Sequence, residues 1–231
     1  MSRSRDIADS TKTLDVDGGT IKLDGNYPVG SHNVVLGNDA LSSGSLSGSN
    51  NVALGSNSLA SNTSGAQNIG IGRNSLDANT TGANNIGVGH SVLTSNSTGG
   101  NNVAIGREAL ALNTTASNNT AVGYQALYAN TTGTRNTALG MQALKTVTTG
   151  NYNTAVGYQA LELNTGSGNT AVGDQALEAN TSGASNSALG DDALVSNTTG
   201  SYNSAFGESA LASNTTGIDN TAVGYQAGYS N

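Results

Sequence analysis

The sequence predicts an all-β protein, a parallel β-solenoid or β-roll of about twelve 17-residue rungs. Three observations predict it. A phrase returns at a fixed interval: NTAVGYQAL occupies 119–127 and again 153–161, and NTAVGYQA occupies 220–227. One glycine marks each unit, from Gly37 and Gly55 through to Gly207 and Gly224, in steps of 16, 17 or 18 residues. A leucine stands four residues after that glycine in every unit from Leu41 to Leu211. A fixed period of this length marks a solenoid or array. Seventeen residues are too few for a strand with a full helix, but they suit one turn of a stack. With rungs ~4.8 Å apart, twelve of them make a rod of roughly 55–60 Å.

The consensus N-T-A-V-G-Y-Q-A-L-x-x-N-T-T-G-x-x gives each element its reason. Its first four positions alternate in the manner of a short strand. The fourth is apolar in every unit, as at Val122, Val156 and Val172, and is read as an inward row of the core. The third is small or Val, which suggests close packing on the opposite face. The fifth-position glycine supplies a backbone conformation closed to other residues, or a tight approach at a corner. Positions six to nine read as a second short strand or one helical turn, the strand being favoured. Their leucines, including Leu110, Leu127, Leu144 and Leu161, form the other core row. In N-T-T-G, Asn and Thr bond the local backbone and Gly takes a positive φ. The first-position Asn forms a ladder, each amide bonding to the next rung.

The second position drifts. It is Val or Ile from Val34 to Val103, then Thr or Ser from Thr120 to Thr221. A buried row of hydroxyls is costly without partners. This position is therefore expected at a subunit contact or in a semi-exposed groove. The last unit has Gly228 in place of its leucine, which suits an end or an onward connection. Residues 1–32 do not repeat and form a separate N-terminal domain, with the roll spanning 33–231. Met1–Ser10 reads as a flexible or partner-bound arm. TLDVDGGTIKLDG reads as a hairpin over Leu14–Leu23 that starts or caps the roll.

Composition narrows the function. Charged residues make up 10%, against about 25% in ordinary soluble domains, so solvation by charge does not account for the chain. Aromatics at 4% argue against a thick core. Each rung buries two or three apolar side chains, and the remedy expected is association, with the small-residue face packed against identical chains around an axis. The absence of cysteine removes disulfides and thiolate metal sites. A net charge of −7 disfavours nucleic-acid binding. No apolar run approaches the ~18 residues of a membrane span, and the N-terminus lacks an apolar signal region, so neither membrane insertion nor secretory export is expected.

His32 and His90 lie far apart and do not form a zinc motif. Asp174, Glu178, Asp191, Asp192 and Glu208 fall on nearby rungs and read as a solvated acidic edge, with a calcium site as the minor alternative. Eight turns carry Asn-x-Ser/Thr, at Asn62, Asn79, Asn96, Asn113, Asn130, Asn180, Asn197 and Asn214, which turn chemistry explains without glycans. There is no nucleophile–base pair and no phosphate loop, so no enzyme, cofactor or metal is expected. Tyr124, Tyr158 and Tyr225 recur at one position and are the candidate glycan contacts of an adhesin. The evenly spaced Thr120, Thr137, Thr154, Thr170 and Thr221 raise the alternative of an ice-binding solenoid, against which stand Ser187 and Ser204.

The residues NNVALG (50–55) and NNVAIG (101–106), the latter continued as GREALA, resemble the head repeats of trimeric autotransporter adhesins. The resemblance covers 33–231 and implies a β-roll assembled as a homotrimer. Those repeats are about fourteen residues long, so this roll needs a longer corner, which N-T-T-G supplies. The family also carries a secretory signal and a C-terminal membrane anchor, and neither is seen here. The full phrase NTAVGYQAL…NTTG, after a start such as MSRSRDIAD, resembles tail-fibre and other virion proteins of tailed bacteriophages, notably those infecting marine cyanobacteria. That resemblance implies a rigid fibre assembled in the host cytoplasm and carried on the virion. Residues 1–32 would dock it to other virion proteins, and a host-surface glycan is a candidate partner.

Overall fold

A computed structural model of the chain describes residues 32–44 and 46–230. The expected arm and hairpin lie outside the described residues. The described residues form a β-solenoid with one three-residue strand per rung, from β1 (Val34–Leu36) and β2 (Val52–Leu54) to β11 (Ser204–Phe206) and β12 (Thr221–Val223). The strands make a single sheet whose spatial order is the sequence order. Every pair is parallel and in register, so that Val103, Ala104 and Ile105 face Thr120, Ala121 and Val122. The expected all-β, parallel architecture is therefore present, at the expected period.

The faces of the strand are the reverse of the expectation. The third position is buried and its two neighbours point outward in all twelve strands. Val122, Val156 and Val172 are half-buried on the outer face, and Leu139 and Leu189 are 47% and 49% exposed. The fourth-position row is not core. The reason is volume. Leu110, Leu127, Leu144 and Leu161 enter from the opposite wall and are fully buried, as expected, which leaves room for no more than a methyl group at the third position from β2 to β12, while Val35 occupies it in the end strand β1. Adjacent strand residues point to opposite faces, so an inward Ala forces the Val beside it outward. The small-residue face is thus inside the single chain and cannot be the packing surface for another copy. The second position lies half-buried or exposed on the outer face, which fits the semi-exposed site expected of it.

The second segment of the rung is a turn, not a strand. Its seventh and ninth residues both take left-handed backbone, as at Gln125 (φ 53°) and Leu127 (φ 55°). Left-handed backbone costs an L-residue roughly 1–2 kcal/mol. Complete burial of the leucine offsets this by about 1.5–3 kcal/mol. Gly228 takes the same left-handed conformation (φ 63°), so the last unit keeps the path of the rung without the side chain. The fifth-position glycines meet both expected demands. Gly106 has φ 120°, and a Cβ there would sit 2.6 Å from the carbonyl oxygen of Gly123. The turn glycines differ from expectation: Gly82 and Gly133 do not have positive φ. Glycine is favoured there because a Cβ would strike the Asn side chain of its own turn and the carbonyl of the next rung.

Two asparagine ladders run through the interior. In the first, which was expected, the Asn119 N–H donates to Asn102 Oδ1 (3.0 Å) and Asn119 Oδ1 accepts from the Asn136 N–H (2.9 Å). Asn119 Nδ2 closes its own rung by donating to Gly133 O (2.9 Å). The second runs through the turn asparagines, for which the sequence predicts local bonds alone. Asn113 Nδ2 donates to Asn96 Oδ1 (2.7 Å), and Asn130 Nδ2 to Asn113 Oδ1 (3.0 Å). Each also holds the carbonyl three residues on, as Asn130 Nδ2 does with Gly133 O (3.0 Å). A buried amide left unpaired is costly, and the stack pairs it only while the rungs stay in register.

Departures from the consensus are absorbed locally. Where the eighth position is Ser58 or Ser75, the third position of the following rung is Gly70 or Gly87. Each hydroxyl donates to that glycine's carbonyl at 2.9 Å, and a Cβ on Gly70 would lie 2.5 Å from Ser58 Oγ. The 153–168 unit is one residue short, and Asn164 Nδ2 closes on Gly166 O two residues on (3.0 Å). The second ladder resumes there, with Asn180 Nδ2 donating to Asn164 Oδ1 (2.7 Å). One break is not absorbed. Val147 replaces the turn asparagine, and Asn130 Oδ1 is buried without a hydrogen-bond partner among the described residues.

Two predictions follow from this core. Val147→Asn supplies the missing donor to Asn130 Oδ1 and should stabilise the chain by about 1 kcal/mol, read as a raised melting temperature. Equal or lower stability would mean that the valine methyls outweigh the restored ladder. Leu144→Ala should cost roughly 2–5 kcal/mol through its cavity. Because rungs stabilise only their neighbours, hydrogen exchange should rise first in a block spanning about 119–170. A uniform rise across all rungs would contradict a stack stabilised by nearest neighbours.

Candidate functional site

The interior of the solenoid is repetitive and sealed, so chemical variety lies on its outside. Three rows stand out. The second and fourth positions form the outer strand face, with Ile71 37%, Ile105 39% and Val223 71% exposed. The sixth position forms a column one glycine beyond that face. Successive rungs there present Arg73, His90, Arg107, Tyr124, Met141, Tyr158, Asp174, Asp191 and Glu208, all exposed.

The three candidate glycan-contact tyrosines fall in this column. Tyr124, Tyr158 and Tyr225 are 37%, 45% and 68% exposed. Tyr124 and Tyr158 are separated by Met141, while Tyr225 lies four rungs beyond Tyr158. The three therefore share an edge without converging on one cleft. Arg107 lies over the Tyr124 ring at 5.8 Å, and Arg135 lies over Tyr152 at 5.2 Å while also donating to its hydroxyl. Sequence reading singled out the tyrosines and missed Arg73, Arg107 and Met141 as members of the same row. The signal was present in the sixth letter of each unit, read down the repeats.

The acidic edge is real. Glu178 has its pKa raised, first by burial and then by Glu162, Asp192 and Asp174. Asp192 is raised by burial, then by Asp191 and Asp174. These are groups repelling one another, and among the described residues no set of three or more His, Cys, Asp or Glu is placed to hold a metal ion. At the other end Glu108 is lowered, chiefly by the Gln125 side chain, with Arg107 contributing. The sequon asparagines are interior. Asn62, Asn79, Asn96 and Asn113 are fully buried, and each Nδ2 donates within the stack, so a glycan on any of them would dismantle a ladder.

No family model, no curated protein and no solved structure matches the chain. The geometry of its surface therefore carries the functional reading.

The raised carboxylates give a signed prediction. A carboxyl whose folded pKa lies above its unfolded value destabilises the fold once ionised, so stability falls as pH rises through the carboxylate range. Asp192→Asn should raise the melting temperature near pH 7, and the gain should vanish near pH 3, below the ordinary carboxylate range of about 4. A gain of equal size at both values would assign it to asparagine's ease in left-handed backbone (Asp192, φ 54°) and not to charge.

Proposed function

We propose that this chain is a structural rod of a phage virion, a fibre or fibre-like appendage whose work is mechanical. The observation that supports it is the uninterrupted stack: twelve parallel strands in one register, with interior amides bonded from rung to rung. A rod held this way resists bending and proteolysis, because exposing any rung breaks hydrogen bonds to both neighbours. The resemblance of the repeat phrase to phage tail-fibre proteins supplies the setting, and residues 1–32 are the natural candidate for docking to the particle.

Association remains part of the reading, through a different surface from the one first expected. The outer strand face offers an apolar fourth-position row, flanked by Val and Ile at β1–β5 and by Thr and Ser at β6–β12. Contiguous apolar surface of this kind marks an interaction site. Three parallel chains with these faces turned to a common axis give the homotrimer that the adhesin-head resemblance implies. A second reading, a glycan-binding adhesin, is favoured by the exposure of Tyr124 and Tyr158 two rungs apart on one edge.

Light scattering on the native protein at high salt, where contacts between exposed charges are screened, should give the mass of three chains, and labelled antibody should decorate a fibre on intact particles. A stable monomer at micromolar concentration would remove the trimer. Decoration of fibres with unchanged host attachment for Tyr158→Ala would keep the rod and remove the adhesin.

A further inference from the structure

The sixth-position column has an order that neither the fold nor a parallel assembly requires. Centred on Met141, it reads outward in one direction as Tyr124, Arg107, His90, Arg73. In the other direction it reads Tyr158, Asp174, Asp191, Glu208. The aromatic step is the same on both sides; the charge changes sign between Arg107 and Asp174 and between Arg73 and Glu208, and His90 stands opposite Asp191 as a hydrogen-bond donor. The interior cannot be the cause, since every one of these side chains is exposed.

We propose that this column is a self-association surface, on which a second copy of the chain packs antiparallel about a two-fold axis at Met141. Rungs are evenly stacked, so a two-fold axis at one rung brings rungs equally distant from it face to face. Arg107 then meets Asp174 of the second copy, His90 meets Asp191, and Arg73 meets Glu208. Tyr124 meets Tyr158 on each side of the axis, and Met141 meets its own equivalent. A two-fold contact is isologous, so each pair occurs twice.

The chemistry of such a surface fits. Its centre is three adjacent large side chains, Tyr124, Met141 and Tyr158, at 37%, 44% and 45% exposure. Its ends are charged, which is the apolar centre and polar rim of an ordinary interface. The acidic end has no cation of its own, because no Lys or Arg follows residue 160. Arg107 retains free donors: Nη2 and Nε lie 3.0 and 3.1 Å from Glu108 Oε1, and the side chain is still 63% exposed. Glu108 in turn directs its other oxygen to Gln125 Nε2 (2.8 Å). A parallel contact through this column would set acid against acid from Asp174 to Glu208, which is unfavourable. The contact therefore joins rods running in opposite directions. It uses the column beyond the corner glycine, not the strand face, and does not depend on the rod's place in a virion.

The chain has no cysteine, so cross-linking tests the geometry directly. Full-length Tyr124→Cys and Tyr158→Cys, mixed and oxidised at low salt, should link predominantly 124 to 158. Each variant alone should link little, no more than a control Thr132→Cys on the exposed turn. Linkage of 124 to itself as readily as to 158 would mean parallel packing, and no linkage above the control would mean no contact at all. Either overturns the proposal. Charge gives an independent check. Arg107→Asp and Asp174→Arg should each weaken self-association roughly tenfold, by like charges brought together. The double variant should restore it, because the exchanged charges meet again across the axis. Singles that weaken with no rescue in the double would overturn it. Hydrogen exchange on each variant separates loss of the contact from loss of the stack, and particle labelling reports on the virion role separately.

Discussion

Asn119 is typical of the buried amides: its oxygen accepts from the next rung and its nitrogen donates within its own, while Asn130 Oδ1 is the exception left without a partner among the described residues. Displace two neighbouring rungs by one residue and the inter-rung bond fails at a fully buried amide. Register is therefore not one option among several for this chain. The period follows from it. Sixteen- and eighteen-residue units occur, but where the short unit is visible the missing residue is taken from the turn between Asn164 and Gly166, and the ladders on either side continue. The glycine corners belong to the same constraint. A stack this close leaves no room for a Cβ at Gly106 or Gly123 against the rung above.

An interior built this way is half polar. A typical rung encloses Ala121, Ala126 and Leu127 together with Asn119 and Asn130. The apolar part is small, so the leucine is held in left-handed backbone to bring it inside at all. Such a core resists shear along the rod better than its modest buried area suggests, because every rung is bonded to two others. Its weak place is where the ladder is interrupted, at Val147. That rung also carries Lys145, whose ammonium meets the largely buried Glu162 at 3.1 Å, a link from the same rung to the one that follows it.

Function on such a scaffold is written in the positions that the interior leaves free. The strand face keeps an apolar fourth-position row along its whole length, flanked by Val and Ile in β1–β5 and by Thr and Ser in β6–β12. The sixth-position column is heterogeneous and ordered, suited to recognising one partner in one orientation. The two surfaces lie side by side yet differ in kind, and a rod that uses both can be assembled within a bundle and aligned between bundles.

The period, the parallel stacking, the corner glycines, the leucine row and the first asparagine ladder were legible because a repeat can be compared with itself. A letter that returns in nearly every unit from Asn33 to Asn220 must serve the architecture. Three things were not legible. Alternation in N-T-A-V has two phases, and bulk favours Val inside. Only the width of the folded interior, filled by leucine from the opposite wall, puts Ala121 in and Val122 out. The turn asparagines looked local because their bond to Gly133 or Gly82 is local, and their longer ladder exists only once rungs are stacked. The left-handed turn at Gln125 and Leu127 has no glycine to announce it. Sequence by itself determined what repeats and how often, since that information is one-dimensional. Which side of each three-residue strand faces in was decided by the tertiary structure alone, because it depends on how much volume the far wall leaves.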